Sequence, residues 1–256
     1  MMVPDISRTP QVVTLLAVPP ELRDATWVDA FFDAITNASF AAGEPRMIQG
    51  PDGFPYFVLR TPDAHQLFDA YSVAFLADEA TRKGFGIVLN PGPGTADWVF
   101  SYGDIAGYRM SGILRPQPPQ RPYQPHEVTQ EPEEVLLGPP PEELLPAYVR
   151  KVIHQHFKRM GLEQPGVLLM HRPSVPESNL VFNVFPEMFA SEEDFRVALG
   201  SVSWFLPRHY SVLGVSGETF PPEAFHALDA PPPAAAAQPA ATRQEPAKKP
   251  WYRRLM

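Results

Sequence analysis

Apolar positions along the chain fall into short runs and helical stripes punctuated by proline and glycine. The run Val12-Val13-Thr14-Leu15-Leu16-Ala17-Val18, stopped by Pro19-Pro20, predicts a buried strand. From about Thr26 the period changes to that of a helix. Trp27, Phe31, Ala34, Ile35 and Ala38 share one face, with Thr26 as cap and Asp29 three residues on. Met47-Ile48 and residues 54–59 then flank Pro51-Asp52-Gly53, a hairpin signal in which Pro presets the turn and Gly accepts positive φ. A second helix is expected after Asp63, with Gln66 at the capping-box position and Leu67, Phe68, Tyr71 and Phe75 inward. Strands are expected over 85–89, 98–102 and 108–114.

A similar order returns further on. Leu145, Val149, Val152, Ile153, His156, Phe157 and Met160 recur at helical spacing and predict a helix over 142–160, with Pro146 in its opening turn and Gly161 closing it. Strands are expected over 167–170 and 180–185. Another helix begins at Ser191, with Asp194 as capping partner and Phe195, Ala198, Leu199 and Val202 inward, and a strand over 210–215 follows it. Helix–strand–strand–helix–strand thus occurs twice, roughly 120 residues apart, as a likeness of pattern rather than of residue identity.

Two proline-rich stretches divide these patterns. Of the 33 prolines many lie between Arg115 and Pro141, where the fixed φ and missing amide donors exclude a helix or a central strand. Residues 229–247 are Ala/Pro-rich and nearly without large apolar groups, so burial cannot offset their ordering entropy. The expected class is α/β (α+β). An N-terminal domain over 1–115 and a C-terminal domain over 142–228 are each a small mixed sheet with two helices. A proline-rich linker over 116–141 joins them, and a disordered tail follows over 229–256.

Asp52-Gly53 with its apolar strand and Thr61, then a helix, then Gly86-Ile87-Val88-Leu89-Asn90-Pro91-Gly92 resembles the N-terminal domain of the bacterial enhanced-serine-sensitivity (SseB) family. The helix over 142–160 and the strand after it resemble that family's C-terminal domain. The likeness covers residues 12–215. It departs at Leu59-Arg60-Thr61-Pro62, where a Phe-Thr pairing is expected, and in the length of the linker. The family is defined by a phenotype and carries no agreed catalytic residues, so the resemblance implies no site.

Composition narrows the chemistry. An apolar share of 44% supports a core, and the absence of Cys removes disulfides, thiolate zinc sites, iron–sulfur clusters and cysteine nucleophiles. A net charge of -8 argues against binding nucleic-acid phosphates. No run reaches the length of a membrane-spanning helix, and residues 1–10 lack the basic flank and apolar stretch of a secretory signal. A cytoplasmic location is expected.

Specific motifs are sparse. Asn90-Pro91-Gly92-Pro93-Gly94-Thr95 looks like a phosphate loop, but its prolines remove amide donors and a strand follows, so a connecting turn is expected. His154 and His156, two apart on a helix, cannot share a metal, and His156 on the apolar stripe reads as a core residue. His65, His126, His171, His209 and His226 lack companions at ligand spacing. There is no Gly-x-Ser-x-Gly elbow around Ser111 or Ser201. Asp97 and Asp104 read as solvated strand ends, and Glu131, Glu133 and Glu134 as a solvated part of the linker. Trp204-Phe205-Leu206-Pro207-Arg208-His209-Tyr210 reads as a helix end entering the core. The competing reading places a small-molecule enzyme or sensor site between the domains near Arg208 and His209. No catalytic residue, cofactor or metal is expected.

The end of the chain is chemically distinct. From Thr242 onward Arg243, Lys248, Lys249, Arg253 and Arg254 oppose only Glu245, a local charge of +4 that leaves -12 on the remainder. Trp251, Tyr252 and Leu255 are large apolar groups set among Lys248, Lys249, Arg253 and Arg254. Such a peptide suits an acidic groove on a protein partner, weak salt-sensitive contact with an anionic membrane surface, or folding back on the acidic body. An unselected solvated tail is the bland alternative. The leading expectation is a non-enzymatic bacterial protein acting through protein–protein contacts, and an accessory role in a secretion or envelope system stays open.

Overall fold

The computed structural model describes residues 3–63, 67–115, 135–172 and 178–231. The first half runs α1 (Thr9–Leu16), α2 (Ala25–Asn37), β1 (Ala41–Gln49), β2 (Pro55–Arg60), α3 (Val73–Lys83), β3 (Gly86–Leu89), β4 (Trp98–Phe100) and α4 (Tyr102–Ser111). The second half runs β5 (Leu136–Gly138), α5 (Ala147–Arg159), β6 (Gly166–His171), β7 (Ser178–Phe182), α6 (Glu192–Val202), β8 (Ser211–Leu213) and β9 (His226–Ala227). The fold is mixed α/β, built on two mixed sheets of four and five strands.

In the first sheet the order is β1-β2-β3-β4, with only β2 and β3 parallel. The two-residue period of β2 sends Phe57 and Leu59 into a core with α1, α2 and α3, while Tyr56 and Val58 pack on the opposite face with Val88. In the second sheet β5 and β9 occupy successive stretches of one edge of β6, and β7 and then β8 follow on the other. Val167, Leu180 and Phe182 face α5 and α6, whereas Leu168, Met170 and Val181 are covered by residues of the 213–225 stretch. The strap between the halves lies largely outside the described residues. Its end supplies β5, an edge strand, as its prolines require.

Five elements differ from the sequence pattern. Residues 12–18 are not a strand. Pro10 opens α1. Val12 is fully buried while Val13 is 43% exposed, a helical rather than an all-buried pattern. The carbonyls at its end are satisfied by Trp27 Nε1 donating to Leu15 and by Arg23 donating to Leu16 and Val18. The cap of α2 is Asp24, whose side chain accepts from the Trp27 amide, rather than Thr26. The second helix starts at Val73 under a Ser72 cap, not after Asp63; Leu67 is 98% exposed, and Gln66 lies outside the described residues. Residues 108–114 are not a strand either. Ser101 and Asp104 form a reciprocal capping box that starts α4, and Gly112 at φ 73 ends it. In the second half Pro146 stands just outside α5 as its cap, and the Ala147 amide is met by the Glu142 carboxylate instead.

One buried cation ties the strap to α5. Arg150 is 1% exposed and donates to the carbonyls of Leu145 and Pro140, so the guanidinium satisfies two buried acceptors of the preceding turn. Burial lowers its pKa from the usual arginine value, with Glu142 opposing.

Candidate functional site

The two halves meet at α4 and at the 3-10 turn Ser203–Phe205 that ends α6. α4 faces both ways: Ile105 belongs to the first core, while Tyr102 and Ala106 belong to the second. Gly103 is required at the crossing, because a Cβ there would fall 1.9 Å from the carbonyl oxygen of Leu206. The fragment 204–210 therefore enters the core as a helix end, as its apolar density implies. Phe205 and Leu206 are buried, and the ring of Trp204 stacks on Phe54 of the hairpin.

Polar groups in this junction are matched to one another. Trp204 Nε1 donates to the Tyr56 hydroxyl at 2.7 Å, and Tyr56 donates to Asp52 Oδ2 at 2.5 Å. Burial and the Asp52 acceptor push the Tyr56 hydroxyl far above its usual pKa. Tyr102 shares its hydroxyl proton between the carbonyls of Thr81 and Tyr148, at 3.0 and 3.3 Å, one from each half. Arg109 pairs with Asp78 at 2.9 Å, donates to Thr81 Oγ1 and lies over the Tyr148 ring. Arg208 engages Asp104 with two hydrogen bonds of 2.7 and 3.0 Å. The Asp104 side chain is only 6% exposed and also caps α4. That bidentate pair raises the Arg208 pKa, against the effect of burial.

Arg208 and His209 do share a cleft, lined also by Asp104, Ser111 and Arg115 and about 180 Å³ in volume. Its polar groups have other work. Arg208 is committed to Asp104, Arg115 to Asp29, and the Ser111 hydroxyl donates to the backbone carbonyls of its own helix end. Burial lowers the His209 pKa, but no nucleophile lies beside it among the described contacts, where its ring meets Tyr210 edge-on.

The remaining candidates separate. His156 Nε2 lies 2.7 Å from Ser201 Oγ, which itself donates to the Ala198 carbonyl at 2.6 Å. The serine proton is thus spent, and the imidazole must donate to the hydroxyl, the reverse of a base activating a nucleophile. Burial, aided by Arg159, lowers the His156 pKa to about 4. His154 instead approaches Asp229 at 3.9 Å, so the two histidines diverge as helical geometry demands. Asp97 accepts from Asn90 while Asp104 serves Arg208, and the 90–95 segment is a turn closed by Gly92 donating to Thr95. Among the described residues no group of three or more His, Asp or Glu is placed to hold a metal.

His65, His126, Glu131, Glu133 and Glu134 lie outside the described residues, as do Lys248, Lys249, Trp251, Tyr252, Arg253, Arg254 and Leu255. Sequence reasoning missed the Asp52–Tyr56–Trp204 relay; the turn residues and the aromatic cluster were visible, but their meeting is a tertiary fact. No helix among the described residues is long and apolar enough to cross a membrane. No protein-family model, curated protein or solved structure matches the chain.

Proposed function

We propose that this chain is a non-enzymatic bacterial cytoplasmic protein of the SseB type that works by holding a protein partner through its C-terminal peptide. The observation that carries this reading is the contrast between a peptide of charge +4 bearing Trp251, Tyr252 and Leu255 and a remainder of charge -12. Aromatic groups between basic side chains anchor well in acidic grooves, because the rings supply desolvated contact area and the cations supply steering. The junction supports it from the other direction. Where an interdomain enzyme would present free polar groups, Trp204, Phe54 and Tyr102 pack against one another and the cation that lines the cleft, Arg208, is paired with Asp104. The test is capture from lysate on an immobilised peptide of residues 248–256. Recovery of a partner that is lost with Trp251→Ala supports the anchor; equal recovery by both peptides refutes it.

A further inference from the structure

A cavity larger than the junction cleft lies elsewhere in the first half. It holds about 410 Å³ and lies beside the carboxyl end of β2, between β1 and the segment that follows β2. Ligands of open α/β sheets gather at the carboxyl ends of parallel strands, because backbone and loop groups diverge there and leave a crevice. Three features build this crevice. Its floor is Ala41, Ala42 and Gly43, which have almost no side chain to fill it. At Gly43 a Cβ would fall 2.3 Å from Val58 Cγ1, so glycine lets β1 lie against β2 where its register shifts between Ala42 and Met47. The far wall is held by Asn90, at φ 48, which accepts from the Thr61 amide at 2.8 Å and donates to the Thr61 hydroxyl at 2.9 Å.

The charged groups around this crevice are uncommitted. Arg46 and Arg60 line it together with Glu44, Asp63 and Asp69, and none of the five has an ion pair or side-chain hydrogen bond among the described residues. This contrasts with the junction, where Arg208, Arg109 and Arg115 are each paired. Two guanidinium forks match a carboxylate bidentately. Three carboxylates accept hydrogen bonds and repel a second negative charge. We propose that this cavity binds a small monocarboxylate that also bears a hydrogen-bond donor, a hydroxyl or an ammonium, with the carboxylate on Arg46 and Arg60 and the donor toward Glu44, Asp63 and Asp69. The site is separate from the C-terminal peptide and stands or falls independently of the partner reading.

The experiment is thermal unfolding of the full chain titrated with lactate, β-alanine, acetate or inorganic phosphate, with sodium chloride matched for ionic strength. Lactate or β-alanine should raise the melting temperature in a saturable way, and whichever acts identifies the donor. Acetate and phosphate should act at least about tenfold more weakly. Arg60→Gln and Arg46→Gln should each leave the unliganded melting temperature unchanged, since neither side chain is paired, and weaken binding about tenfold or more. The proposal is overturned if no probe exceeds chloride, if phosphate acts most strongly, or if both arginine variants keep the shift.

Discussion

The indole of Trp204 lies flat on Phe54, with ring centroids 4.1 Å apart and planes 6° from parallel, while its N–H reaches Tyr56, 148 positions earlier. One side chain therefore supplies both an apolar and a polar link between the halves. Removing it should act on both. Trp204→Ala is expected to cost about 2–4 kcal/mol, less than for a sealed tryptophan because the ring is half-buried. A double-mutant cycle with Phe54→Ala should give a coupling of about 0.5–1.5 kcal/mol. Urea unfolding of the four proteins measures both, and additive effects would show that the stack contributes nothing beyond burial.

Gly103 predicts a sharper effect from a smaller change. Its missing Cβ is what lets α4 approach the Leu206 backbone, and neither backbone can move without opening the junction. Gly103→Ala should destabilise by about 3 kcal/mol or more. Gly200→Ala provides the control, since nothing lies within 4 Å of a Cβ there and helix propensity favours alanine by about 0.5–1 kcal/mol. Similar melting temperatures for the two variants would contradict the packing described.

Asp104 and Arg208 should respond unequally. Asp104→Ala removes both its side-chain half of the capping box and the bidentate pair, an expected cost of about 2 kcal/mol. Arg208→Ala leaves the carboxylate its helix-cap partners, and the arginine side chain is 56% exposed, so about 1 kcal/mol is expected. Equal losses in chemical denaturation would mean that the cap contributes nothing.

His156 sets a pH dependence whose sign follows from its environment. Burial lowers its pKa from 6.5 to about 4, so between those values the unfolded chain binds more protons than the folded one. Its contribution is present in full above pH 6.5 and is lost as pH falls toward 4. With the ring only partly enclosed, about 1–2 kcal/mol is at stake. His156→Phe, which keeps the ring against Phe205, should flatten the stability profile across that window. An unchanged slope would assign the acid sensitivity to other groups.

Much of this architecture was legible in the pattern. The hairpin around Asp52-Gly53, the stripe of α5, the cap of α6 at Ser191 and the closing Gly161 all follow from local rules and stand in the structure. Where the reading failed, local information was balanced. A seven-residue apolar run such as 12–18 fits a strand or a helix, and the docking of Trp27 and Arg23 on its carbonyls decided the matter. At α4 two glycines and two tyrosines weakened the helical signal, and the capping box at Ser101 outweighed them. The junction and the arginine-lined cavity left no local trace, because Asp104 and Arg208, or Arg46 and Arg60, are brought together only by chain topology.

Binding of the partner captured by the C-terminal peptide, measured with three proteins, tests the central claim most directly. These are the whole chain, its Trp251→Ala variant and a chain ending at Pro231, which keeps every described residue of the second half. Affinity should fall at least about tenfold with Trp251→Ala and disappear in the shortened chain, with unchanged melting temperatures in all three. Equal affinity across the three proteins would contradict the account, since the folded body alone would then carry the contact.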